Sequence, residues 1–240
     1  LVSIMAVNNE IGSIQPIEAI SKLLADKPTI SFHVDAVQAL AKIPTEKYLT
    51  DRVDFATFSS HKFHGVRGVG FVYIKSGKRI MPLLTGGGQE RDYRSTTENV
   101  AGIAATAKAL RLSMEKLATF ASKTGQMKAV ICQALLDYPD IFVFSDEEDF
   151  APHILTFGIK GVRGEVIVHA FEDYDIFIST TSACSSKAGK PAGTLIAMGV
   201  EKDKAQSAVR LSLDLENDMS QVEQFLTNLK LIYNQTRKVR

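Results

Sequence analysis

At 240 residues the chain is long enough for one large domain or two modest ones, with a real hydrophobic core. Apolar residues make up 45% and charged residues 23%, a globular balance that excludes a disordered chain, and a formal net charge of +1 gives no electrostatic reason to expect nucleic acid or an acidic surface. No apolar run has the length of a membrane helix, the opening residues do not read as a secretory leader, and the two cysteines, Cys132 and Cys184, fit a reducing cytoplasm rather than a disulfide framework.

Leu1 to Val7 is a near-continuous apolar run, the pattern of a strand covered on both faces. Opening inside such a strand, without an initiator methionine, reads as a fragment, because termini usually lie at the surface. Asn8, Asn9, Glu10 and Gly12 form a polar turn, and Pro16 sits where a helix can begin, with Ile17, Ile20 and Leu24 on one face. Further strands are predicted at Ile30 to Val34, closing on Asp35, then at Asp54 to Ser59 and at Val69 to Ile74. Strands alternating with helical or turn segments predict an α/β sheet with functional groups at the strand C-terminal ends.

From Met81 the pattern becomes turn-like, and the run Gly86, Gly87, Gly88 rules out a helix or strand interior. Helical pattern resumes near Glu98 and runs past Leu117, with a second stretch from Met127 to Tyr138 that stops before Pro139. This helical region predicts a division into residues 1–118 and 119–240. The second part has an α+β pattern. A strand is expected at Ile154 to Ile159, a helix at Gly164 to Tyr174 with Val166, Ile167 and Phe171 inward, and a short strand at Ile176 to Ser179. A small-residue loop with Cys184 follows, then a short helix with Leu195, Ile196 and Met198, a strand at Val209 to Leu213 and a closing amphipathic helix from Met219 to Tyr233.

The polar turn after Asp54–Ser59 carries Ser60, His61 and Lys62. Burial makes an ammonium costly and favours the neutral amine that forms imines with carbonyls; the plainer reading is a solvated surface lysine. Asp35 at a strand end is either a helix N-cap, with Gln38 completing a capping box, or a carboxylate facing a protonated ring nitrogen. A parallel sheet would bring Asp35 and Lys62 onto one rim, and a carboxylate for a pyridinium with a lysine for an imine are the groups that pyridoxal phosphate requires. Cys184 lies among small and polar residues, with Lys187 and Lys190 able to favour its thiolate; the alternative is an incidental loop cysteine. Arg210, between apolar strand neighbours, suits a carboxylate bidentately or an internal salt bridge. Cys132 has helical apolar neighbours and reads as core. His33 and Asp35 alternate on one strand, but no further ligand at zinc-like spacing accompanies them.

The stretches VNNEIGSIQPI, HVDAVQALAK, FSSHKFHGVRGVGFVYI, GGGQERDYRSTTENVAG, TSACSSKAGKPAG and AVRLSLDLEN, taken in order, resemble the cysteine desulfurases of the aminotransferase class V superfamily. The resemblance implies an α/β fold of the pyridoxal-phosphate-dependent aminotransferase type (fold type I). Residues 1–118 would form the C-terminal part of the cofactor-binding large domain, and 119–240 a small α+β domain with the catalytic cysteine loop. It implies that Lys62 holds pyridoxal 5'-phosphate as an imine, that His61 and Ser59 contact the cofactor, Ser59 through its phosphate, that Asp35 pairs with the pyridine nitrogen and that Gln38 pairs with the phenolic oxygen. Asn9 would approach cofactor and substrate, Arg210 would hold the carboxylate of L-cysteine, and Cys184 would be the nucleophile that takes up sulfur as a persulfide. Thr97 would reach the phosphate of a second subunit, which implies a homodimer. The sulfur acceptor would be an iron–sulfur scaffold or a tRNA-thiolation enzyme, with no direct nucleic acid and no membrane. A selenocysteine lyase, another class V enzyme or a silent dimerising piece are the alternatives. The chain departs from the family pattern at Ser60, Thr96, Thr181 and Asp214, where glycine is usual, and at Val66, where proline is usual. The family's glycine-containing phosphate turn and ring-stacking histidine, which precede the first strand seen here, are absent.

Overall fold

The computed structural model describes residues 1–145, 149–181 and 193–238. Two compact units divide the chain: Leu1–Val7 with Gln15–Leu117, and Asn8–Ile14 with Ala118–Arg240. Among the described residues no helix is long and apolar enough to cross a membrane.

The first unit is built on a four-stranded sheet in the order β1 (Val2–Met5), β2 (Phe32–Asp35), β3 (Phe55–Ser59) and β4 (Gly70–Ile74). The first three strands are parallel and β4 runs antiparallel to β3. Helix α1 (Ile17–Leu23) follows Pro16 as the sequence predicts, and buries Ile17. Side chains alternate across a strand, so each residue type chooses a face. Phe32, Val34, Ala56 and Phe58 line the buried face, while Ser3, His33, Asp35, Thr57 and Ser59 share the other. A hydrogen-bond chain crosses that polar face: His33 Nδ1 lies 2.7 Å from Ser3 Oγ, and its Nε2 lies 3.1 Å from Thr57 Oγ1.

The expectation that Leu1 to Val7 is covered on both faces fails within the strand itself. β1 alternates between half-buried Val2 and Ile4 and exposed Ser3 and Met5, because it pairs only with β2 and stands at the edge of the described sheet. Full burial comes just past its end, at Ala6 and Val7. The long helical region divides into α2 (Val100–Glu115) and α3 (Leu117–Leu135). Asn99 caps α2, its Oδ1 accepting from the Gly102 amide at 3.0 Å.

The second unit carries an antiparallel sheet in the order β5 (Ile141–Val143), β6 (Ile154–Ile159), β8 (Ala208–Ser212), β7 (Ser179–Thr180). β6 forms at the predicted Ile154–Ile159 and is buried along its whole length, paired on both sides by β5 and β8. Helix α4 (Gly164–Glu172) and helix α7 (Met219–Lys238) pack their apolar stripes into one core with α3, where Phe171 and Phe225 stack at 4.9 Å. Val166 does not join Ile167 and Phe171 in that core. At about 100° per residue, positions three or four apart share the inward stripe, which here is Gly164, Ile167 and Phe171, and Val166 is 52% exposed. Short helices α5 (Gly193–Ala197) and α6 (Lys202–Gln206) complete the unit, burying Leu195 but leaving Ile196 and Met198 outward.

Candidate active site

The parallel pairing of β2 and β3 brings Asp35 and the turn carrying Lys62 to the same C-terminal edge of the first unit's sheet. Asp35 stands in register with Met5 on one side and Thr57 on the other, and Ser59 lies one pleat further along β3, about 7 Å on. No helix follows Asp35, so it is not a helix cap. Its Oδ1 accepts from the Val37 amide at 3.0 Å and starts a turn in which Gln38 is half-buried. That turn is the local reason Asp favours this position: a short carboxylate satisfies the amide two residues on.

Ser60–Phe63 forms a single 3-10 turn closed by His64 in the left-handed conformation, φ 64°. In a 3-10 turn, side chains three apart fall on one side. Ser60 and Phe63 are both buried there, Phe63 against the ring of Phe71, itself stacked at 4.6 Å on Phe58. His61 is thereby left exposed and Lys62 half-buried. Gly65 is required: a Cβ there would sit 1.9 Å from Ser60 Oγ.

Gln38, Ser59 and Lys62 engage no side-chain partner among the described residues. The three are half-buried along one sheet edge and so are available to a polar ligand. The donor set is a carboxylate, an amide, a hydroxyl, an imidazole and an amine, which fits pyridoxal 5'-phosphate: a cationic ring nitrogen, a phenolic oxygen, a phosphate and an aldehyde. Thr97 is exposed, in the loop before α2, alongside a cleft that Phe71, Arg79, Tyr93 and Asn99 also line.

Asn9 and Arg210 belong to the second unit. Arg210 on β8 is flanked in register by Thr156 and Ser179, and its Nη1 donates to the Asn9 carbonyl at 2.7 Å. The turn holding Asn9 is fixed on every side. Asn8 Oδ1 accepts from the Glu10 and Ile11 amides, Thr156 Oγ1 donates to the Glu10 carbonyl, and Ile11 is buried with Leu195 and Ala208. Gly12, at φ 82°, leaves no room for a Cβ, which would meet Ile154 Cβ at 2.8 Å. Cys184, with Lys187 and Lys190, lies outside the described residues. Sequence reasoning missed Thr106, whose Oγ1 lies 2.9 Å from Ser60 Oγ. Its only sequence signal is a hydroxyl among the alanines of α2.

Sheet order, with a lysine turn and an aspartate at neighbouring strand ends, is the arrangement of the α/β aminotransferase-type fold. The model of the aminotransferase class-V family matches residues 1–225, and the chain belongs to that family. It is 52% identical over 240 residues to a NifS/IcsS protein homolog of Lactobacillus delbrueckii subsp. bulgaricus, covering 100% of this chain and 62% of that protein. It is 35% identical over 243 residues to the cysteine desulfurase IscS of Clostridium botulinum, covering 100% of this chain and 60% of the relative. Among solved structures, a NifS-like protein superposes with a TM-score of 0.85 at 37% identity, over 98% of this chain and 60% of the other. The NifS-like protein of Rickettsia africae gives 0.86 at 30% identity, over 97% and 61%. The chain thus spans about 60% of the length of the relatives it matches.

Proposed function

We propose that the protein is a pyridoxal-phosphate-dependent cysteine desulfurase, which converts L-cysteine to L-alanine and takes the sulfur as a persulfide on Cys184. The observation that carries this reading is Lys62: a half-buried amine without a protein partner among the described residues, at the sheet edge that also holds Asp35. When bound, pyridoxal phosphate supplies an electron sink that makes the substrate Cα proton acidic.

Each residue of this chain has a task. Asp35 keeps the ring nitrogen protonated, and Gln38 donates to the phenolic oxygen. Ser59 holds a phosphate oxygen, His61 contacts the cofactor, and Thr97 serves the phosphate of a second subunit in a homodimer. Lys62 Nζ holds the cofactor covalently, then, as a free amine, takes the Cα proton. Arg210 takes the substrate carboxylate, for which its planar fork is suited, and Asn9 lies at its guanidinium. The Cys184 thiolate attacks the substrate sulfur; the C–S bond breaks as the S–S bond forms, leaving alanine after protonation. The persulfide passes to an iron–sulfur scaffold or a tRNA-thiolation protein in the cytoplasm.

The test is the full-length protein with pyridoxal phosphate, a thiol reductant to discharge the persulfide, and either L-cysteine or L-selenocysteine, with alanine, sulfide and selenide measured. Alanine and sulfide in equal amounts from cysteine are expected. Cys184→Ala keeps the visible cofactor band and forms no persulfide; normal turnover in that variant sinks the nucleophile assignment. Product from selenocysteine alone makes the protein a lyase for that substrate.

A further inference from the structure

We infer that a buried hydrogen bond between Ser60 and Thr106 sets the position of Lys62, which makes these two hydroxyls positioning residues for the proposed reaction; the inference rests on that reading. Ser60 is fully buried immediately before His61 and Lys62, and its Oγ lies 2.9 Å from Thr106 Oγ1 on α2. Thr106 Oγ1 also lies 2.7 Å from the Gly102 carbonyl. Thr106 Oγ1 is the donor toward both the Ser60 hydroxyl and the Gly102 carbonyl, its single proton shared between the two acceptors.

The Ser60 hydroxyl is also closely packed by the Gly65 backbone. Gly65 is packed against it closely enough to exclude any Cβ, and the Gly65 amide donates to the Ser60 carbonyl at 2.9 Å. A second tie holds the far end of the same turn: Ser113 Oγ donates to the Phe63 carbonyl at 3.1 Å. Thr106 and Ser113 are about two helical turns apart, so both project from one face of α2. The helix therefore grips the lysine turn once on each side of Lys62, with Ser60 standing where the family resemblance leads one to expect glycine. A turn that carries a covalent attachment point gains from such support, because small displacements of a reacting group cost rate and affinity.

Four variants of the full-length protein test this: Ser60→Ala, Thr106→Val, their combination, and Thr106→Ser, which keeps the hydroxyl. Affinity for pyridoxal phosphate is read from the visible band, the attachment site from borohydride reduction and mass analysis, and folding from thermal melts. Ser60→Ala and Thr106→Val are each expected to weaken cofactor affinity about five-fold, the net worth of one hydrogen bond. The double variant should lose no more than either single, and Thr106→Ser should match the wild type. Lowered melting temperatures with unchanged affinity, additive losses in the double variant, or a Thr106→Ser variant as weak as the valine would each overturn the inference. If the wild type itself takes up no cofactor at Lys62, the proposed function falls and the inference with it. Wild-type uptake with unaffected variants removes the inference alone.

Discussion

At the N-terminal end of β3, Asp54 is 2% exposed, and every side of its carboxylate is answered. Oδ2 accepts from the Phe32 amide and from Arg52 Nη1, both at 2.9 Å, while Lys78 Nζ lies 3.1 Å from Oδ1. Arg52 in turn donates to the carbonyls of Leu24, Lys27 and Ile30. At the C-terminal end of the same strand, Lys62 is half-buried with no counter-charge among the described residues. Both ends take a charge partly out of water, but only one compensates it from within the fold. The compensated end holds the sheet together. The uncompensated end keeps its groups for a ligand, and the structure around it goes instead into placing the lysine.

Replacing the key residue at each end separates the two roles. Lys62→Ala removes the attachment point and the base, and steady-state turnover should fall by about 10²–10⁴-fold. Its melting temperature should stay close to wild type, since the side chain bonds nothing else in the unit. A melt lowered as far as turnover falls would mean that Lys62 is structural. Asp54→Ala should do the reverse. It leaves two half-buried cations short of their anion and should cost about 1.5–3 kcal/mol of stability by chemical denaturation, while the folded fraction still takes up the cofactor.

The pH dependence extends this contrast. Burial by itself would raise the Asp54 carboxyl, but the Phe32 amide, Arg52 and Lys78 outweigh it and hold the group below its ordinary value of 3.8. A depressed carboxyl contributes stability that is fully present above 3.8 and lost as pH falls from there through the lower folded-state value. Acid unfolding curves of the wild type should show this loss, and Asp54→Asn should flatten it. Arg210→Lys tests the second unit, with a smaller effect. Losing the planar fork should raise KM for L-cysteine about ten-fold with kcat nearly kept, since a charge-assisted hydrogen bond is worth about 1.5–3 kcal/mol and lysine retains part of it. An unchanged KM would remove Arg210 from the substrate site.

Most elements of the first unit were readable because apolar runs bounded by turn residues carry their own boundaries; β2, β3 and β4 lie within two residues of where the pattern puts them. Ile154–Ile159 was readable for the same reason. Short β5 and α6 were not, because three to five residues hold too little periodicity to rise above a loop. Asp35 was ambiguous for a physical reason: the same short carboxylate starts a turn or caps a helix, and only the chain that follows decides which.

The types and order of the reactive groups were therefore set locally. A lysine in a polar turn after one apolar strand, an aspartate closing another and an arginine within a third can be read without coordinates, because each is defined by its immediate neighbours. What the tertiary structure alone decided is which distant groups meet. It set parallel pairing that brings Asp35 and the Lys62 turn to one edge, and it put the Asn9 turn in the second unit against Arg210. It also brought together two hydroxyls, Ser60 and Thr106, far apart in the chain. Single hydrogen bonds between small polar side chains leave no periodic trace in a sequence; they exist only once the packing of strands and helices has removed water from around them.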